Sequence, residues 1–585
     1  MHEFTLWAPR VKRASVKVGA ATYPMAGPDS KGWWKVSVEA AEPGDDYAFV
    51  LDDDPTPYPD PRSLWQPHGV HGPSRIYNQA AFSWNDARFQ SCPLSSAIIY
   101  ELHIGTFTTD GTFDAAIARL AYLVELGITH VELMPVAECP GEHGWGYDGV
   151  SLFAVTHAYG GPDGLKRFVD AAHERGLAVL LDVVYNHFGP VGNYTGKFGP
   201  YVTSRHRTPW GDAVNFEGPG SDEVRRFFCD NALMWMRDYH IDGLRLDAIT
   251  EIVDRSAVHF LEQLSAETET LSADLGRSLV LIAESDLNDP RVVTSREAHG
   301  YGLDAQWSDD FHHALFTVLH SEPGKGYYQD FGTLEQLAKS LTQVFVYDGA
   351  YSLYRRRHHG RPVEGLSAHR FLGYIQNHDQ VGNRAIGDRV EHIVGMQRAR
   401  LAAALIFTAP FVPMLFQGEE FAASTPFQYF ADHDDPKMAK SVSEGRRREF
   451  AAFGWNPGSI PDPEDPETFR RSKLNWDEIG DGRHAEMLEW YRQLIRLRRH
   501  SPSLNDGDLR NITVVFDEDR HWLTVDRKGE HGSMRVLCNL GDHPVELPNP
   551  DLLPVVLASP DGVQVVAEKI FLPPDGVAVL SNESH

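Results

Sequence analysis

Within YHIDGLRLDAITEI, residues 239–252, Arg245 and Asp247 stand two apart among apolar residues. Two-residue spacing on a strand sends both side chains to the same side. A guanidinium so close to a carboxylate favours its ionised form and lowers its pKa. On these residues alone, a structural ion pair accounts for the pattern as well as a catalytic one does. Other apolar runs end on similar groups: LDVVYNH brings Asp182, Asn186 and His187, LIAES brings Glu284, and QNHD brings Asn377, His378 and Asp379. Carboxylates and two histidines converging on one mouth suit two chemistries. A metal site would draw ligands from the carboxylates together with His187 and His378. Glycoside hydrolysis needs one ionised and one protonated carboxyl. Asp247 beside Arg245 fits the first role, and Glu284, behind the apolar LVLIA and among acidic neighbours, fits the second.

Positioning these groups falls to a repeating pattern. Eight apolar runs read as strands: AIIYELHIGTF, THVELMPV, LAVLLDVVYNH, IDGLRLDAI, LVLIAESD, GLDAQWSDD, FLGYIQNHDQ and FVPMLFQGEE. Helical stretches fall between them, such as TFDAAIARLAYLVELG, GLKRFVDAAHERG, SDEVRRFFCDNALMWMRDY and VGMQRARLAAALIFTA. Alternating strands and helices imply parallel strands joined by crossovers, and eight units predict an α/β chain closed into a (β/α)8 TIM barrel with functional groups at the strands' C-terminal ends. An open doubly wound sheet is disfavoured because no GxGxxG follows the first run. Residues 1–88 carry short alternating runs (ASVKVGA, WWKVSVEA, DYAFVLDD) that predict an N-terminal β-sandwich. The proline-rich DDDPTPYPDPRSLWQPHG that closes it is expected to be irregular. The barrel is expected over 89–503, with GSIPDPEDPETF as an irregular linker, and a second β-sandwich over 504–585 (ITVVFD, HWLTVDR, MRVLCNL, GVAVLS).

Composition narrows the partners. Against 54 Lys and Arg stand 82 Asp and Glu, a net charge of −28 that repels nucleic acid and anionic membranes and leaves neutral ligands such as sugars favoured. The four cysteines, Cys92, Cys139, Cys229 and Cys538, form no CxxC or zinc spacing, which points to a reduced, cytoplasmic setting. The N-terminus lacks the apolar run of a secretory signal, and no later run is long enough for a membrane span.

DVVYNH, GLRLDAI, IAESD and NHDQ, in this order, resemble the four short motifs of the α-amylase superfamily. That resemblance implies an N-terminal sandwich, a (β/α)8 barrel and a C-terminal sandwich. It further implies Asp247 as nucleophile, Glu284 as general acid/base and Asp379 as the carboxylate that orients sugar hydroxyls, with Arg245, His187 and His378 beside them. Tyr147 of WGYD is similar to the aromatic that stacks on the sugar being cleaved, and Asp148 adjoins it. The wider wording, including AYGGPDGLKRFVDAAHERGLAVLLDVVYNHFGPVGNY, QNHDQVGNRAIGDR and LFQGEEFAASTPFQYFADH, is similar to that of the malto-oligosyltrehalose trehalohydrolases. This implies malto-oligosyltrehalose and malto-oligosaccharides as ligands, a synthase as functional companion, and no cofactor or metal. Glycogen branching and debranching enzymes, and a catalytically silent glucan binder on the same fold, stay as alternatives. Asp286 and other residues of ESDLNDPR, with those of GEEFAASTPFQYF, are candidates for the trehalose side. Phe427, Gln428, Tyr429 and Phe430 suit loop packing and a sugar platform equally.

Overall fold

The computed structural model describes residues 1–583 apart from 321–325, 453–455, 531 and 561. Eight parallel strands close into a barrel: β1 (Ile99–Leu102), β2 (His130–Leu133), β3 (Ala178–Val183), β4 (Gly243–Leu246), β5 (Val280–Ala283), β6 (Ala305–Trp307), β7 (Phe371–Gly373) and β8 (Val412–Phe416). All eight apolar runs became barrel strands. Each strand is buried on both faces, which is why the runs read as nearly continuous hydrophobic segments. Inside, Ile99, Leu180, Ile282, Ala305, Leu372, Val412 and Met414 form a dry floor. Two residues beyond Ile99 and Leu180 stand Glu101 and Asp182, with Arg245 of β4 level with Asp182, so the same period-two alternation that fills the barrel carries charge to its mouth.

The crossover helices include Gly161–Glu174, Ser221–Asp238 and Met396–Thr408, as the sequence pattern suggests. TFDAAIARLAYLVELG differs, forming two pieces, Phe113–Ile117 and Leu120–Leu126. The break sits at Ala118 and Arg119, where the Arg119 guanidinium lies 4.3 Å from the centre of the Trp476 ring. Among the described residues no helix is long and apolar enough to cross a membrane, and all four cysteines are free thiols.

In the N-terminal part, the strands His2–Trp7 and Trp33–Val38 pair as one sheet, and a second sheet runs Ala21–Pro24, Ala14–Val18, Asp46–Leu51, Asp54–Tyr58. Phe4, Leu6, Val16, Trp34 and Phe49 lie buried in its core. The proline-rich stretch is less irregular than expected, since Asp54–Tyr58 pairs at the sheet edge. Pro55 and Pro57 are tolerated there because an edge strand does not need every N–H for pairing. This unit docks on the barrel helix Ser221–Asp238 through a Trp33 Nε1–Glu223 hydrogen bond of 3.0 Å and an Arg62–Asp230 ion pair of 2.8 Å. At the other end, sheets of five and three strands enclose Leu537, Leu547, Ile570, Leu572 and Leu580. Arg527 ties them to the barrel by donating to the carbonyl of Thr408, the last residue of a barrel helix.

Candidate active site

Asp182 and Arg245 are opposite one another on β3 and β4. From that position the fully buried Arg245 reaches three carboxylates: Nη1 lies 2.6 Å from Asp182 Oδ2 and 2.9 Å from Asp247 Oδ1, and Nη2 lies 2.9 Å from Glu284 Oε2. Its guanidinium also stacks over Trp307 of β6, 4.2 Å from the ring centre. Asp247 Oδ2 accepts a 2.7 Å hydrogen bond from Asn186 Nδ2, so both of its oxygens are engaged by donors. Glu284 accepts the Ala248 N–H at 2.7 Å on the same Oε2 that meets Arg245. Among the described residues its Oε1 has no protein partner and is the atom able to carry a proton. Ala248, directly after Asp247, holds a left-handed φ of +35°, strained for a residue with a Cβ, and this turn aims its N–H at Glu284.

The electrostatics separate the two acids. Burial raises Glu284 to about 7 against the pull of Arg245, with the charges of Asp247 and Asp379 adding to the rise. Asp247 departs from the sequence expectation. Burial lifts it above the ordinary carboxylate value although Arg245 and Asn186 oppose the shift, because Arg245 is shared with Asp182 and Glu284 instead of being reserved for Asp247. Two engaged oxygens on Asp247 and a free one on Glu284 still make Asp247 the carboxyl that ionises first.

The remaining site candidates surround this pair. Asp379 lies in the first turn of His378–Gly382, accepts from Asn383 Nδ2 at 3.0 Å, and is a third exposed. His378 Nε2 donates to the Tyr147 hydroxyl at 2.7 Å, while Nδ1 and its backbone N–H meet the buried Glu101. Burial opposes charge on His378, but Glu101 and Asp379 outweigh it and hold the imidazole up at about 9, as a cation. The Tyr147 hydroxyl donates to Asp182 at 2.6 Å and its ring stacks on His378 with centroids 5.2 Å apart. His187 is fixed at 3.1 Å from the Tyr147 carbonyl and stacks at 4.5 Å on the half-exposed Trp210. Asp148 sits on the rim, 3.6 Å from His433 Nε2. Asp286, exposed and further out, pairs with Arg355 at 3.0 Å. Among the described residues no cluster of His, Cys, Asp and Glu is arranged to hold a metal ion.

Two expectations about the cleft wall change. Phe427 and Phe430 are fully buried and pack around Trp145 and Phe416, with Gln428 buried beside them, so those three serve loop packing. Glu419 and Glu420 are also buried, because Gly418, at φ +83°, turns the chain down behind β8 and points both carboxyls at tyrosines. Neither glutamate can touch a sugar. The exposed aromatic surface beside the Glu284 loop instead comes from the insertion between β6 and β7: Tyr327, Tyr351 and Tyr354 are all more than a third exposed. Arg355 of this insertion pairs with Asp286, and the His359 ring bonds the Asp286 carbonyl at 2.8 Å. Tyr327 is near enough to Asp309 and Asp379 for their charges to add to burial in raising its hydroxyl to about 12. Nothing in the sequence marks this insertion beyond its density of tyrosines and arginines. Glu101 and Trp307, which with the sequence-selected Asp182 build the floor of the site, were visible only as a polar and an aromatic letter at inward strand positions.

Comparison with known proteins gives the family. The alpha-amylase family, by its catalytic domain, matches residues 83–207. The malto-oligosyltrehalose trehalohydrolase of Rhizobium sp. (strain M-11) is 48% identical over 99% of this chain and 97% of its own length. That of Mycobacterium tuberculosis is 49% identical over 94% of each. A crystal structure from Salmonella typhimurium named for alpha amylase superposes with a TM-score of 0.91 at 36% identity, covering 99% of this chain and 97% of that one. With a match that extends over almost the whole chain, flanking sheets and barrel alike, the chain belongs to the malto-oligosyltrehalose trehalohydrolase family of the alpha-amylase glycoside hydrolases.

Proposed function

We propose that this enzyme hydrolyses the α-1,4-glucosidic bond next to the terminal trehalose of malto-oligosyltrehalose, releasing trehalose and a malto-oligosaccharide. The observation that carries the chemistry is Arg245 bridging two carboxyls of unequal proton affinity: Asp247, engaged on both oxygens, and Glu284, raised to about 7 with one oxygen free. Asp247 attacks the anomeric carbon while Glu284 protonates the departing trehalose oxygen. Water then attacks the glycosyl ester with Glu284 as base, and two displacements at one carbon retain its configuration. Asp379 holds the hydroxyls of the cleaved residue, Tyr147 lies under its ring, and His187, His378 and Asp148 line its surroundings. Asp286 and the exposed tyrosines of the insertion stand on the Glu284 side, where the trehalose leaves. The substrate assignment rests on the family relation, extending over almost the whole chain.

A trehalose-capped glucan must be made by an enzyme that rearranges the reducing end of an α-1,4 chain, so a synthase working beside this protein is part of the proposal. A reduced cytoplasmic setting fits four unpaired thiols. The test is proton NMR of a fresh digest of maltotriosyltrehalose. It should show free trehalose and maltotriose whose reducing end is first α. Chain transfer without new reducing ends would make the protein a branching enzyme, and an intact substrate would make it a glucan binder. Faster cleavage of plain maltopentaose would make it a general α-1,4-glucan hydrolase.

A further inference from the structure

The end of the proline-rich stretch is placed where the mechanism has not used it. Val70, almost fully buried, inserts against Gly192 of the loop after β3, where an added Cβ would come within 2.4 Å of the valine methyl. That wedge fixes the next residue, His71. Its Nδ1 lies 2.7 Å from the Tyr194 hydroxyl of the β3 loop, and its Nε2 lies 3.0 Å from Asp434 Oδ2 of the loop after β8. The neighbour of Asp434, His433, reaches Asp148, which adjoins Tyr147. His71 and Asp434 are about half exposed, at 45% and 50% of their side-chain surface. Three separate parts of the chain thus place an imidazole, a phenol and a carboxylate together on the rim of the mouth.

Position in the ring gives this rim a direction. In a closed ring of eight strands, β1, flanked by β8 and β2, stands opposite β5. Glu284 follows β5 and protonates the leaving group, so the trehalose lies over β5 and the rest of the glucan runs across the mouth towards β8, β1 and β2. Asp434 follows β8 and Asp148 follows β2. We infer that His71, Tyr194 and Asp434 form a glucan-binding subsite on the donor side, beyond the residue being cleaved, through which the N-terminal unit reads the length of the malto-oligosyl chain. The ligand is a neutral glucosyl residue. A fixed carboxylate with lone pairs to spare and a phenol presenting both ring and hydroxyl match its hydroxyls and its apolar face.

This inference rests on the trehalohydrolase reading, and its test keeps the two separable. Trehalose-capped substrates carrying one to five glucosyl units are compared for the parent, His71→Ala and Asp434→Asn. The shortest substrate should be cleaved by all three within about twofold. On the longest, each variant should lose about three- to tenfold in kcat/KM, the worth of one hydrogen bond at a half-exposed site, with the loss in KM. An equal loss at every length, or none at any length, overturns the subsite. Thermal melting of His71→Ala shows whether the wedge has loosened, and if it has, the nearly isosteric Asp434→Asn decides. Should the parent release no trehalose, the trehalohydrolase reading fails, and the same series on uncapped malto-oligosaccharides still tests length dependence.

Discussion

Two regions of this molecule are built from the same parts and differ in what they can do. At the mouth, Asp182, Asp247 and Glu284 gather around Arg245; behind β8, Glu391, Glu419 and Glu420 gather around Arg389. Arg245 directs Nη1 and Nη2 at carboxylates, and although burial disfavours its charge, Asp182 and Glu284 raise its pKa well above the usual value. Arg389 spends its N–H groups on the carbonyls of Thr425 and Gln417, each at 2.8 Å, and burial lowers its pKa. Two of its carboxyl neighbours meet tyrosines instead: Tyr491 donates to Glu419 at 2.8 Å, and Tyr100 and Tyr122 donate to Glu420 at 3.0 and 2.9 Å, while Glu391 accepts from Gln376 Nε2 at 3.3 Å. A buried charge must be paired or neutralised. The mouth takes the first route, leaving Glu284 23% exposed, and the rear cluster takes the second with no opening to solvent. Three carboxyls and an arginine therefore do not define an active site. Where the arginine directs its donors, and whether one acid keeps a free oxygen facing the cleft, do.

Asp247 offers the largest effect by which this contrast can fail. Asp247→Asn keeps the shape and can still accept from one of Asn186 and Arg245, but it removes the nucleophile, so turnover should fall by about 10⁴-fold or more while the protein stays folded. Steady-state rates and a thermal melt on one preparation check both halves. Retention of more than a tenth of the parent rate would take covalent attack away from Asp247.

Glu284 gives the next largest effect. Glu284→Gln should cost about 10³-fold on the natural substrate and far less on a glycosyl fluoride, whose leaving group needs no proton. Glu284 acts protonated, and it titrates at about 7, so the parent's kcat/KM should hold on the acid side of that value and decline as pH rises through it. The Gln variant should lack this alkaline decline. A decline that persists in the variant would assign it to another group.

How far the sequence showed this division is instructive. Asp247, Glu284 and Asp379 were legible because each ends an apolar run, and a barrel strand delivers its last inward residue to the mouth. The GEE after β8, part of a stretch that reads as a trehalose-side candidate, does not reach the mouth. A run's end gives the direction of the strand, whereas the positive φ at Gly418 turns the following residues behind the sheet. Glu101 was illegible for a different reason. It lies within its run at an inward position, and only the folded barrel shows that His378, 277 residues later, meets it. The tyrosines of the β6–β7 insertion belong to no periodic element, and the insertion is held to the Glu284 loop by long-range contacts, Arg355 to Asp286 and His359 to the Asp286 carbonyl among them, that no local pattern encodes.

The smallest effect belongs to the rear cluster. Burial raises Glu419 to about 8 and Glu420 and Glu391 to about 7 each, with the tyrosine and backbone donors opposing the rise at the first two and Arg389 at the third. In the unfolded chain a glutamate titrates at about 4.3. Between that value and about 8 the folded protein holds protons that the unfolded chain has released, so stability is full below the window, falls as pH rises through it, and levels off above. Glu419→Gln substitutes a permanently neutral group that can accept from Tyr491 as the protonated acid does. At pH 5.5 the variant and parent should melt within a degree or two of each other. At pH 8.5 the variant should be the more stable, since it escapes the cost of ionising a buried carboxyl, on the order of a few kcal/mol. Activity at pH 6 should match the parent within about twofold, because Glu419 touches nothing in the cleft. Melting curves at the two pH values, with rates at pH 6, measure all of this. An unchanged pH dependence would mean that Glu419 is charged at neutral pH after all, and the contrast between an arginine that pairs acids and tyrosines that neutralise them would not hold. A large loss of activity would instead join the rear cluster to the mouth, through Tyr100 on β1 and the adjacent Glu101 that holds His378.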